Sequence, residues 1–123
     1  MKNFLLIENN ADISYCIEYV VEDLGYQYLH FQSLLPVVQI NKLNPDIILI
    51  DHSLPNGSGN KLCLELKQNL CTQKIPVVLM GTDPDIKNIA KDCFADYYLS
   101  MPFELDGLLN ILSNLDYKAL STL

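Results

Sequence analysis

"PDIILIDHSLPNGSG", residues 45–59, holds the most informative reading of the chain. Pro45 and Asp46 open an unbroken aliphatic run, Ile47 to Ile50, that closes on Asp51. Four aliphatics with no polar alternate suit a strand buried on both faces, the pattern of a parallel sheet covered by helices. "LPNGSGN" (54–60) is then a turn-rich loop. Ser58 is placed to cap a helix whose buried side holds Leu62, Cys63, Leu66 and Leu70. An acid closing so apolar a run lies at a buried sheet edge, where acids usually have a job.

The same alternation extends in both directions. Phe4 to Ile7 is a short apolar run, and Ile13, Ile17, Val20, Val21 and Leu24 then recur at helical spacing up to Gly25, a C′ stop. Tyr26 to Phe31 gives a second strand, followed by an apolar helix around Leu34 to Leu43. "PVVLM" (76–80) is the fourth strand, and Ile86, Ile89, Ala90 and Cys93 line a helix begun by Pro84. "DYYLS" (96–100) is the fifth, and Leu105, Leu108, Leu109, Leu112 and Leu115 form the stripe of a last helix. Strand–helix repeated five times predicts an α/β fold, a five-stranded parallel sheet with helices on both faces. No Pro/Gly/Ser-rich linker or repeat interrupts it, so residues 1–123 read as one domain.

Composition narrows the function classes. Hydrophobic residues make up 50% and charged ones 19%, the balance of a globular domain. A formal net charge of −7 disfavours a nucleic-acid backbone as direct partner. No apolar stretch of about 18 residues exists, so no membrane span is expected. The run after Met1 is too short for a signal peptide and meets Glu8 at once. Cys16, Cys63, Cys71 and Cys93 form no close CxxC pair, so they read as reduced, mostly buried thiols of a cytoplasmic protein.

In such a sheet, ligands collect at the carboxyl ends of the strands. The first strand ends in Glu8-Asn9-Asn10, the third in Asp51-His52-Ser53, the fourth in Gly81-Thr82-Asp83 and the fifth in Ser100-Met101-Pro102. Glu8 and Asp51 are therefore expected to face one pocket. His52 is expected to turn to the other face of the strand end, and His30 to be structural or exposed.

Taken together, "FLLIENNADI" (4–13), "PDIILIDHSLPNGSG", "IPVVLM" (75–80) and "ADYYLSMPFELDGLL" (95–109) resemble the receiver domains of bacterial two-component response regulators. The likeness covers nearly the whole chain. It implies a single-domain (βα)5 flavodoxin-like fold with strand order 2-1-3-4-5. It also implies that Asp51 is the phosphoacceptor, and that an acidic pair, Asp51 and the carbonyl of Ser53 bind Mg²⁺. A Ser/Thr ending the fourth strand and a Lys ending the fifth would hold the phosphoryl oxygens. That logic is sound, since Mg²⁺ takes oxygen ligands and a transferring phosphoryl needs positive charge and donors.

The active-site positions carry over unevenly. Glu8 matches the first acid, whereas Asn9 stands where the second, more direct metal ligand belongs. Asp51 is intact. The hydroxyl position falls on Gly81, with Thr82 one place late, and the lysine position falls on Met101. Asn for Asp and Met for Lys together keep the local charge balance, so Asn9 and Met101 are expected to compensate each other. Tyr98 matches the switch aromatic and is expected to turn inward, because Gly81 has no side chain to block it. The Met101–Pro102 bond is expected to be cis.

The sequence thus reads as a stand-alone receiver with a degenerate site, not an enzyme, with Mg²⁺ binding weak if present. The resemblance implies a histidine kinase or phosphotransfer protein upstream. A downstream protein partner would use the helix 4–strand 5–helix 5 face, which is also a candidate homodimer surface. The alternative is a conventional receiver with weak Mg²⁺-dependent phosphorylation of Asp51. A flavodoxin-like FMN protein shares the outline, but "ENNAD" presents an acid where a phosphate would be cradled. A haloacid-dehalogenase-type phosphatase needs two aspartates after the first strand, and both are lacking.

Overall fold

The computed structural model describes residues 2–101 and 105–121. Five strands form the parallel sheet: β1 (Asn3–Ile7), β2 (Gln27–Phe31), β3 (Ile47–Asp51), β6 (Val77–Gly81) and β7 (Tyr97–Ser100). Two short strands, β4 (Ser53–Leu54) and β5 (Gly57–Ser58), pair as a small antiparallel ribbon in the loop after β3. The sheet order is β2-β1-β3-β6-β7, which is 2-1-3-4-5 once the ribbon is set aside. The helices are α1 (Ala11–Asp23), α2 (Val37–Leu43), α3 (Gly59–Gln68), α4 (Ile86–Asp92) and α5 (Leu105–Ser121).

Alternation along the central strands sorts the core into two layers. Phe4, Leu6, Ile47, Leu49, Val78, Met80 and Leu99 join Ile17, Val20, Val21, Leu108 and Leu112 on the α1/α5 face. Leu5, Ile7, Ile48, Ile50, Val77 and Leu79 join Ile40, Leu62, Leu66, Ile86 and Ala90 on the α2/α3/α4 face. Ile47 to Ile50 are all buried, as an aliphatic run without alternation requires. A side chain at Gly59 would run into the Asp51 carbonyl, so the first residue of α3 has to be glycine for the helix to close against β3.

Several apolar expectations move to the surface. Leu70 is 85% exposed, because α3 ends at Gln68 and the chain turns before reaching it. Leu24, the C-cap of α1, is also exposed. Cys63 and Cys93 are buried, but Cys16 and Cys71 are exposed, so only half of the free thiols lie in the core. Ser58 occupies the N-cap of α3 without making a side-chain capping bond, and α4 begins two residues after Pro84. Among the described residues, no helix is long and apolar enough to cross a membrane.

Candidate functional site

The parity that builds the core also builds the site. Ile7 pairs with Ile50 across β1 and β3, so the next residues, Glu8 and Asp51, leave the sheet side by side toward the α1/α5 face. Glu8 is buried; its Oε1 accepts the Asn10 backbone N–H at 2.9 Å. Asn10 in turn caps α1, its side chain accepting the Ile13 N–H at 3.0 Å. Glu8 Oε2 is buried with no donor. Burial, and then the Asp51 carboxyl beside it, push the Glu8 carboxyl up to about 7, against a smaller opposite pull from the Asn10 N–H. Asp51 is half-buried, and its Oδ1 accepts the Ser53 N–H at 2.9 Å.

Asp51 opens into a cavity of about 420 Å³ lined also by His52, Ser53, Gly81, Thr82, Asp83 and Met101. Met101 is half-buried: its N–H donates to the Gly81 carbonyl at 2.7 Å, and its side chain packs on the α1/α5 core. Thr82 reaches the same cavity from the position after Gly81. Asn9 lines a separate cleft of about 370 Å³ between α1 and β2, with Ser14, Tyr15, Glu18, Tyr28 and His30. His30 is structural, its Nε2 lying 2.7 Å from the Glu8 carbonyl oxygen and 3.2 Å from Ser14 Oγ.

One expectation needs correction. Tyr98 is 42% exposed rather than turned inward. It belongs to edge strand β7, with alternation placing it on the α4 side, and the room beside Gly81 is already filled by His52 and Ile86. His52 follows that alternation, as expected, yet its ring still lines the Asp51 cavity, with Nδ1 3.2 Å from Asn60 Oδ1. Sequence spacing gave no sign of this, because it depends on the space left open over Gly81. Asp83, which the sequence places at the end of the fourth strand without a role, lies at the same cavity. The Met101–Pro102 bond and Phe103 lie outside the described residues.

Glu8 lies beside Asp51, Ser53 lines the same cavity as Asp51, and the orphaned Glu8 Oε2 is the atom a hard dication would satisfy. Among the described residues no group of three His, Cys, Asp or Glu side chains could hold a metal. The fit to Mg²⁺ therefore rests on two carboxylates plus neutral oxygens.

Comparison with known proteins gives a consistent result. Residues 4–113 match the response regulator receiver domain family. The chain is 31% identical over 105 residues to the phosphate regulon transcriptional regulatory protein PhoB of Escherichia coli (strain K12), covering 83% of this chain and 46% of PhoB. It spans about half the length of that relative. Its fold is similar to the signal receiver domain of a signal transduction histidine kinase from Syntrophus aciditrophicus, with a TM-score of 0.82, 26% identity and coverage of 94% and 89% of the two chains. It is also similar in fold to the receiver domain of a sensor histidine kinase from Pseudomonas aeruginosa PAO1 (TM-score 0.74, 22% identity, coverage 93% and 96%), whose structure has magnesium coordinated in the active-site cleft. With the sheet order, the paired acids and Asp51 at the cavity, these matches show that the chain belongs to the response regulator receiver domain family.

Proposed function

We propose that this chain is a signalling module that keeps the receiver fold and the phosphoacceptor position Asp51, transfers phosphoryl groups poorly, and acts through protein interaction. The observation that carries this reading is the wall of the Asp51 cavity. Among the described residues it contains Gly81 where a hydroxyl would stand, Met101 where an ammonium would stand, and no Lys or Arg at all. Asp83 adds a further acid. A phosphoryl group arriving there meets negative charge and few fixed donors. Loss of one preorganised donor to a developing anion costs about 3–4 kcal/mol, roughly 10²–10³ in rate. Met101 does not leave a hole, since it packs against the core, so the cation's place is taken by apolar contact.

Mg²⁺, when bound, would be held by Glu8, Asp51 and the Ser53 carbonyl, and would offset the carboxylate pair. Asn9 would contribute an uncharged oxygen at most. A histidine kinase or phosphotransfer protein is the upstream partner this family membership supports. The downstream partner would use the α4–β7–α5 face, where Tyr98 and the 66%-exposed Phe94 are available to it.

The test is incubation with Mg²⁺ and acetyl phosphate or beryllofluoride, read by mass and by NMR shifts at Asp51. The expected result is no stoichiometric mass gain and at most small shifts. A clear stoichiometric response at Asp51 would establish the conventional receiver instead.

A further inference from the structure

Gly81 is more than a lost hydroxyl, because the space beside it is taken. A Cβ built on Gly81 would lie 3.1 Å from His52 Cβ, 3.2 Å from Ile86 Cδ1 and 3.7 Å from His52 Cδ2. The Ile86 methyl is the end of a flexible side chain and can rotate away. His52 is held from three directions. Its N–H donates to the Met80 carbonyl at 2.7 Å, its carbonyl accepts the Gly59 N–H at 2.9 Å, and its ring Nδ1 lies 3.2 Å from Asn60 Oδ1. The Gly59 bond belongs to the tight closure of α3 on β3, so the backbone of residue 52 has little freedom to retreat.

We infer that His52 is the positioning residue of this site: its ring, tied to Asn60, occupies the place over Gly81 that a β6 hydroxyl side chain would need. His52 and Gly81 are thus a matched pair, and the α4-side wall of the Asp51 cavity is an imidazole rather than a hydroxyl. This deepens the reading of an impaired site. It means that restoring the hydroxyl, the second acid and the lysine does not by itself rebuild an anion site.

Stability tests the packing without depending on phosphorylation. Gly81→Ala, Gly81→Thr, His52→Ala and the two doubles are unfolded in urea. The Ala→Thr step at residue 81 is expected to lower the folded-to-unfolded ratio by about tenfold or more with His52 present, as overpacking does. It should cost less than about threefold in the His52→Ala background. The Cβ–Cβ approach remains in both backgrounds, so Gly81→Ala alone should cost about the same in each. If Gly81→Thr does not fold with His52 present, the Gly81→Thr/His52→Ala double folding normally shows the same coupling.

The second readout is one that packing alone would not move. In the Asn9→Asp/Gly81→Thr/Met101→Lys background, beryllofluoride with Mg²⁺ should bind at least about tenfold more tightly once His52→Ala is added. An additive stability cycle, or an unchanged beryllofluoride Kd, overturns the inference. Stoichiometric beryllofluoride binding by the unmodified protein would instead overturn the impaired-site reading, so the two failures are told apart.

Discussion

Replacing Glu8 with Gln should give an advantage in stability over the wild type that grows as pH rises, by an amount the structure sets. Glu8 is 2% exposed, and burial and then the Asp51 carboxyl raise it from its ordinary 4.5 to about 7. Between those values the folded protein holds a proton that the unfolded chain has released. A raised carboxyl therefore contributes its stability fully below about pH 4.5, and that contribution is lost as pH rises through about 7. A shift of about 2.5 pH units at about 1.36 kcal/mol each gives an upper figure of about 3 kcal/mol. The Gln amide still accepts the Asn10 N–H through its oxygen and turns an N–H toward Asp51. Urea unfolding at pH 5, 6, 7 and 8 in EDTA isolates the effect from bound cations. With a urea slope of about 1.5 kcal/mol/M, Glu8→Gln should gain about 1–2 M in midpoint over wild type between pH 5 and pH 8. A midpoint difference that stays flat with pH would refute a Glu8 carboxyl raised by burial and by its Asp51 neighbour.

Other expectations are simpler. Phe94 has φ +63° while 66% exposed, so Phe94→Gly should be neutral or stabilising by up to about 1 kcal/mol in thermal unfolding; a clear loss would mean the ring is anchored. Lys67 Nζ donates to the Ile75 carbonyl and to Asp96 Oδ2, both at 2.7 Å, and to the Gln73 carbonyl at 3.2 Å. Lys67→Ala should therefore cost about 1–3 kcal/mol in urea unfolding, and a cost near zero would show that water replaces these bonds freely. Asn9→Asp and Met101→Lys should be less harmful together than the sum of the singles in a stability cycle. That coupling would be electrostatic, since Asn9 and Met101 line different cavities, and it should shrink in high salt.

Local patterning is enough to specify the sheet and its covering. The aliphatic run Ile47–Ile50 can be satisfied only with both faces buried, and helical stripes such as Ile17, Val20 and Val21 supply one of those covers. Period-2 and period-3.6 patterns are local, so the parallel sheet and the meeting of Glu8 with Asp51 are legible in the sequence. Element ends were less so: Leu24 and Leu70 keep the helical spacing but fall where the helices stop, and so lie in solvent.

Which residue occupies the space a neighbour leaves depends on the packed fold. Gly81 in the sequence is an absence that invites Tyr98 inward. In the fold, His52 from β3 and Ile86 from α4 fill that room, and Tyr98 stays partly exposed on the edge strand. Asn9, one residue from Glu8, leaves the shared pocket for the α1–β2 cleft. Volume is shared among residues far apart in the chain, and close packing assigns it only once the strands lie in register.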